Sequence, residues 1–387
     1  MKIPYSKVYC NGNEKQYITE VLESGWLTTA GKTMTFEQKM ADYVGAGYAC
    51  AVNSCTSALH IGLEALGVKA GDKVFVPDMT FTASAEVVRY LNADPVFLDV
   101  AYGTSLLTPE ILLEGIRRHP DVRFLVVVHF GGQAAQMISN GQTGILEICK
   151  THNIRIIEDA AHAFPTKLMG RLVGSFGDIT CFSFYANKTI TTGEGGMLMT
   201  NDPELYNRCK LMRLHGINRD VWNRFTSDKP SWEYDVVAPG FKYNMPDVNA
   251  AIGLAQLERA QEFHEERVRV ARFYLEHLKA VEAIDLPICH GNIEDHAWHI
   301  FQIVLNEKSL LSRNEMIDKL AEAGIGSSVH YKPLHRMTYY RDYYSLRADD
   351  FPISEKIWQG NLSLPIYPFL TTEQLEYVVK TICDLLS

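Results

Sequence analysis

Residues 155–200 read RIIEDAAHAFPTKLMGRLVGSFGDITCFSFYANKTITTGEGGMLMT. Three short apolar runs stand in this stretch: Arg155–Ile157, Ile179–Phe184 and Met197–Met199. A Gly-rich loop joins the last two and leaves no room for a crossover helix, so the third strand is expected to run antiparallel to the second. Towards the N-terminus the same kind of run recurs at Cys50–Val52, Val74–Val76, Val96–Val100 and Phe124–Val128, with helix-like segments between. Seven runs in alternation with helices predict an α/β fold, a mostly parallel seven-stranded sheet covered by helices.

After Asn249 the pattern changes. Ala250–His277 reads as one amphipathic helix, straight or bent, followed by a strand at Ile300–Leu305 and helices at Arg313–Ala323 and Thr371–Leu386. The expectation is a large α/β domain over residues 1–249 and a smaller α+β domain over residues 250–387. The Ile217–Tyr243 segment, with Trp222 and Trp232, reads as an irregular loop. Long loops of this kind are usually functional or interfacial.

The chain has 387 residues, 47% hydrophobic and 21% charged, with a formal net charge of −9. That is the profile of a globular enzyme, and the acidic balance argues against a nucleic-acid footprint. No segment is apolar for long enough to cross a bilayer, and MKIPYSKVYC lacks the apolar core of a signal peptide, so a cytoplasmic location is expected. The eight cysteines are scattered without a Cys-x-x-Cys pair, and the histidines show no His-Glu-x-x-His. No metal site is expected.

Three segments carry chemistry. Asn53-Ser54-Cys55-Thr56-Ser57 leaves a strand and opens a helix, so free amides and the hydroxyls of Thr56 and Ser57 can hold an anion; an ordinary N-cap is the plainer reading. Asp159 ends a buried strand, where open α/β sheets put their ligands, and a carboxylate there can keep a pyridine nitrogen protonated. His162, three residues on, could touch the same ring, although a lone histidine is more often structural. Lys188 lies in the loop between an apolar strand and a Gly-rich turn. Desolvation there would lower its pKa towards the nucleophilic amine, with Ser183 on the same side; a solvated surface lysine is the plainer alternative. Apart, each signal is weak. In the order phosphate turn, strand-end Asp, then Lys 29 residues later (188 − 159), they are the layout of a pyridoxal 5'-phosphate (PLP) site.

At this point the chain resembles the DegT/DnrJ/EryC1/StrS family of PLP-dependent nucleotide-sugar aminotransferases, of fold-type I. The matching stretches are Ser54–Leu59, Val76–Phe81, Glu158–Ala163, Gly174–Asp178, Ser183–Gly196, Gly240–Gln256 and Gly326–His335. The resemblance implies that Lys188 carries the cofactor and shuttles the proton, that Asp159 pairs with the pyridinium, and that Thr56, Ser57 and Ser183 bind its phosphate. Phe81 would stack on the ring, and His162 stands where many members have Gln. Asn244 would reach the phosphate of a neighbouring subunit's cofactor, which implies a homodimer with composite sites. Trp26 and Thr29 resemble a segment lining the sugar pocket. His330 and Tyr331 resemble the stretch facing the sugar diphosphate, with Trp298 on the same side. The family's dehydrase branch has histidine in place of the lysine, so Lys188 favours transamination. The substrates implied are a nucleotide-linked keto-sugar and an amino-acid donor, L-glutamate by family analogy. Two rivals stay open: an aminotransferase acting on a non-nucleotide cyclic ketone of the aminocyclitol type, and a non-catalytic PLP-binding regulator.

Overall fold

The computed structural model describes residues 1–138, 141, 143–218 and 234–387. Trp222 and Trp232, and with them most of the expected irregular loop, lie outside the described residues. The seven expected strands are all present: β1 (Tyr48–Val52), β2 (Lys73–Pro77), β3 (Asp94–Leu98), β4 (Phe124–Val128), β5 (Arg155–Asp159), β8 (Ile179–Ser183) and β9 (Gly196–Thr200). A two-residue hairpin, β6 (Lys167–Leu168) and β7 (Arg171–Leu172), falls between β5 and β8. The sheet order is β1-β9-β8-β5-β4-β2-β3. Pairing is parallel throughout except for β9, which is antiparallel to both β1 and β8.

The sequence dictates this sheet through burial. In β4, Leu125–Val127 are fully buried, and Cys50–Val52 of β1 likewise, as strands covered by helices on both faces must be. The Cys55–Ala65 helix is apolar nearly all round because it packs against the sheet interior; its N-cap Ser54 accepts the Ser57 N–H at 3.0 Å. Where β9 begins, Gly196 passes the exit of β1. A Cβ there would lie 2.5 Å from the Ser54 carbonyl, so only glycine fits.

The expected Ala250–His277 helix is two helices, Asp247–Glu258 and Ala260–Leu278, broken at Arg259. The expected domain boundary therefore falls inside a helix. Asp247–Glu258 packs on the N-terminal helices Glu14–Ser24 and Gly31–Val44. Its first residue, Asp247, also caps the second of these, accepting the N–H groups of Ala30 at 2.7 Å and Thr33 at 2.9 Å. Ala260 and Phe263 still belong to the large domain's core, whereas Val268, Ala271 and Tyr274 enter a second core. We propose Arg259 as the junction. Ile3 also sits in the second core and bridges to Ile325, so the first residues cross to the small domain. That domain holds a three-stranded antiparallel sheet of Ile284–Asp285, Phe301–Leu305 and Asn361–Leu364. Trp298 is fully buried in the same core, and its indole N–H donates to Ile293 O. It is not among the residues lining the cavity around Lys188, which corrects the expectation for that residue.

One buried network ties the domains together. His335 hydrogen-bonds Asp78, just past β2, through Nδ1 at 2.7 Å, and Glu355 of the small domain through Nε2 at 3.0 Å. A carboxylate at each nitrogen favours the cationic ring. Burial pulls its pKa down, but Asp78 and Glu355 outweigh that and raise it. Stability from this group is fully present below the unfolded value near 6.5 and is lost as pH rises through the folded one. His335→Ala should therefore destabilise the protein by about 3 kcal/mol, the usual cost of stranding a buried charge. Calorimetry at several pH values should show the gap from the parent narrowing above about pH 6.5. A gap independent of pH would mean the ring is neutral.

Candidate active site

The C-terminal ends of the parallel strands converge on one edge of the sheet. There β1 runs into Ser54, β2 leads to Phe81, β5 ends in Asp159 and β8 leads to Lys188. Between them lies a cavity of about 350 Å³ whose walls include Thr56, Phe81, Asp159, His162, Ser183, Lys188, His330 and Tyr331. Eight of the thirteen expected site residues thus share one space.

The Lys188 loop is rigid because its hydrogen bonds are local and numerous. Phe184 N–H donates to Gly195 O at 2.9 Å, Thr192 N–H to Phe184 O at 3.0 Å, and Lys188 N–H to Tyr185 O at 3.0 Å. Asn249 clamps the loop from outside through the carbonyls of Thr192 and Glu194. Enclosure pushes the Lys188 pKa down to about 8, while Cys55 and Asp159 pull the other way and Arg267 adds to the fall. A neutral amine is thus within reach near physiological pH.

Opposite, the Asp159 carboxylate accepts the Ser84 hydroxyl at 2.7 Å and the Ala161 N–H at 3.1 Å. Ser84 is oriented in turn by Thr80 at 2.8 Å. Burial raises the Asp159 pKa, and these bonds and Lys188 oppose the rise. A cationic N–H placed against it would relieve that burial penalty.

His162 has a fixed tautomer. Its Nδ1 accepts the Gly131 N–H at 3.3 Å, so the proton is on Nε2 and is given to the Tyr331 hydroxyl at 3.0 Å. Tyr331 is left with its own proton to donate into the cavity. Burial holds His162 well below the usual histidine range and takes His330 down to about 4. The rings lining the site are therefore neutral at pH 7.

Ser57 does not line the cavity. Its hydroxyl donates to Asn53 at 2.6 Å, and Ser54 takes its amide. The first two residues of the helix, Cys55 and Thr56, have no intrahelical partner for their N–H groups. With the Thr56 and Ser183 hydroxyls, these can hold a phosphate beside the helix N-terminus. Trp26, Thr29 and Asn244 are not in the Lys188 cavity either. Asn244 donates to Thr29 Oγ1 at 2.6 Å, accepts from Lys242, and lies with Thr28 and Arg213 on a separate concavity of about 450 Å³. Residues that sequence reasoning missed include Ser84, which orients Asp159, and His299, which touches Lys188. Neither stands in a motif; both reach the site from a distance along the chain.

A buried acid facing an enclosed lysine, with anion donors at the helix end between them, fits PLP. The pyridine nitrogen would face Asp159, the aldehyde carbon Lys188 and the phosphate the Cys55–Ala65 helix. Fold and site together define a PLP-dependent aminotransferase. Residues 9–383 match the DegT/DnrJ/EryC1/StrS aminotransferase family, and the chain belongs to that family. It is 39% identical to the spore coat polysaccharide biosynthesis protein SpsC of Bacillus subtilis, over 100% of this chain and 97% of the relative. Among solved structures it is similar to the PMP form of the putative sugar aminotransferase Spr1654 from Streptococcus pneumoniae (30% identity, 100% and 98% of the two chains, TM-score 0.88). It is also similar to DesV of S. venezuelae (28% identity, 97% and 94% covered, TM-score 0.86).

Proposed function

We propose that this enzyme moves the amino group of an amino acid, L-glutamate by family resemblance, to the keto carbon of a sugar carried on a nucleotide. The observation that carries the reading is the opposition of Lys188 and Asp159 across one cavity, beside a mouth lined by Phe81, His330 and Tyr331. A few hydrogen-bonding groups on an aromatic wall suit a hydroxylated ring. The names of the similar proteins agree, one being given to polysaccharide biosynthesis and one to a sugar aminotransferase.

When bound, PLP supplies an electron sink for the carbon that loses its proton. The chain's own residues do the rest. Lys188 Nζ would take the proton from the donor's α-carbon and pass it to the cofactor carbon it had held, then run the same shift in reverse to protonate the sugar carbon. Asp159 keeps the pyridine N–H in place. Thr56, Ser183 and the helix amides fix the phosphate, Ser57 holds the turn through Asn53 and Ser54, Phe81 covers one face, and His162 with Tyr331 limits access at the other. His330 and Tyr331 contact the sugar nucleotide; Trp26 and Thr29, outside their own chain's Lys188 cavity, would serve the partner's site. No helix among the described residues is long and apolar enough to cross a membrane; a cytoplasmic setting belongs to this reading.

In this scheme the protein is a homodimer, and Asn244, away from its own chain's Lys188, serves the partner's phosphate. Mixing inactive Lys188→Ala with impaired Asn244→Asp protein should restore part of the activity, because a mixed dimer then has one intact site. After subunit exchange is verified by mass, a mixture that stays inactive would place Asn244 in its own chain's site. For the substrate, L-glutamate should convert the cofactor in a single half-reaction, and one nucleoside diphosphate should raise Tm in a screen. Glutamate turnover with no response to any nucleoside diphosphate would favour the aminocyclitol-type ketone instead.

A further inference from the structure

His299, the side chain to which Lys188 is hydrogen-bonded, has no part in the scheme above. Among the described residues Lys188 Nζ makes a single hydrogen bond, to His299 Nε2 at 3.4 Å. An ammonium has only hydrogens to offer, so Nε2 is the acceptor and the ring's proton sits on Nδ1. That Nδ1 is buried without a hydrogen-bond partner. An orphan of this kind is costly to bury and calls for a reason.

The surroundings show how His299 is held. It comes from the small domain, just before the Phe301–Leu305 strand, and it is stapled to the large one. Ala297 N–H donates to Gly132 O at 2.9 Å and Ile300 N–H to Gly131 O at 3.1 Å. Gly132 allows this approach, since a Cβ there would lie 2.9 Å from Trp298 N. Trp298 itself has φ +50°, uncommon for an aromatic residue. The backbone turn parts two neighbours, sending Trp298 into the core and His299 to the lysine. The His299 ring then packs against His162, tilted by 34° with 4.6 Å between centroids.

We infer that His299 is a positioning residue, whose Nε2 accepts a hydrogen bond from Lys188 Nζ and docks the amine at the back of the cavity whenever that amine is free. Lys188 must leave and return in each cycle, and a free four-carbon stem would otherwise sample many positions. Docking fixes the direction from which its proton is delivered. No bond forms or breaks at His299. The ring suits this task because burial, with Lys188 nearby, keeps it well below the usual histidine range and therefore an acceptor. The other groups facing Lys188 do not replace it. Cys55 and Asp159 favour the charged amine, Arg267 disfavours it, the neutral rings of His162 and His330 face the same cavity, and none of these is hydrogen-bonded to the amine among the described residues. The inference rests on Lys188 being the working lysine.

The test begins with cofactor-free protein. Trace labelling with acetic anhydride across pH, followed by peptide mapping, reads the midpoint at which Lys188 becomes neutral. His299→Phe should lower that midpoint by about one unit, because the ammonium loses its acceptor. His299→Gln, whose amide oxygen can reach the Nε2 position, should restore it; His299→Asn, which mimics the Nδ1 position, should not. In the loaded enzyme kcat should fall on the order of 10²-fold in the Phe variant, with KM little changed and most of the loss recovered by Gln. An unchanged midpoint in a folded Phe variant overturns the inference. If that variant does not fold, the Gln and Asn variants decide: Gln close to the parent and Asn impaired supports docking, equal behaviour refutes it. Lys188→Ala run in parallel separates the premises, since turnover surviving there would remove the working lysine itself.

Discussion

Lys188→Ala is expected to lose turnover by about 10⁴-fold or more, because one group supplies both the covalent hold on the cofactor and the acid–base step. The purified parent should be yellow. Borohydride should fix the colour-bearing group to the protein, and peptide mapping should find it on Lys188. The variant should still take up PLP through the phosphate donors and Asp159, but reversibly, so that gel filtration strips it. The geometry makes the prediction sharp. Lys188 is the only lysine among the described residues lining the cavity, and its loop is tied down by the Phe184, Thr192 and Asn249 bonds. Fold stability should barely change, since truncation removes an amine already penalised by enclosure. A label on any other lysine would sink the assignment.

The parts of the site read from sequence are those in which chemistry and local backbone coincide. Asp159 ends an apolar strand, Thr56 opens a helix, and Lys188 precedes a Gly-rich turn, so a short window shows both the residue and its presentation. Strand positions were legible for the same reason, with ends displaced by a residue or two where the apolar run and the hydrogen-bonded ladder differ: Val96–Val100 became Asp94–Leu98. The break at Arg259 was not legible, because the helical periodicity continues through it. Trp298 was misjudged because an aromatic residue near a site looks the same whether it faces ligand or core. Its left-handed backbone settles the matter, and no residue type announces that. Ser84 and His299 were missed because their partners, Asp159 and Lys188, lie far away along the chain, and only the sheet edge and the domain junction bring them together.

Asp159→Asn should keep PLP and lose on the order of 10³-fold in kcat, the scale on which removing one preorganised electrostatic contact acts. The fold tolerates the change. Ser84 Oγ and Ala161 N–H now donate to the two carboxylate oxygens. An amide keeps one acceptor, and the Ser84 hydroxyl can rotate to accept from the new NH₂, with Thr80 still beside it. What is lost is the negative charge. Without it the pyridine nitrogen no longer holds its proton, and the ring is a poorer sink for the charge left on the reacting carbon. The loss should appear in both half-reactions, with KM little changed, since the contact matters more as that charge develops. The cofactor-free variant carries a second, opposite signature. Burial raises the Asp159 pKa, so the ionised carboxyl weighs against folding at any pH above the unfolded value near 3.9. Asparagine removes that penalty. Cofactor-free Asp159→Asn should therefore melt no lower than cofactor-free parent at pH 7, while the loaded parent should gain more from PLP than the loaded variant does. Near-normal rates in both half-reactions would mean that another group holds the ring nitrogen. A lower melting point in the cofactor-free variant would mean that Asp159 is chiefly a structural anion.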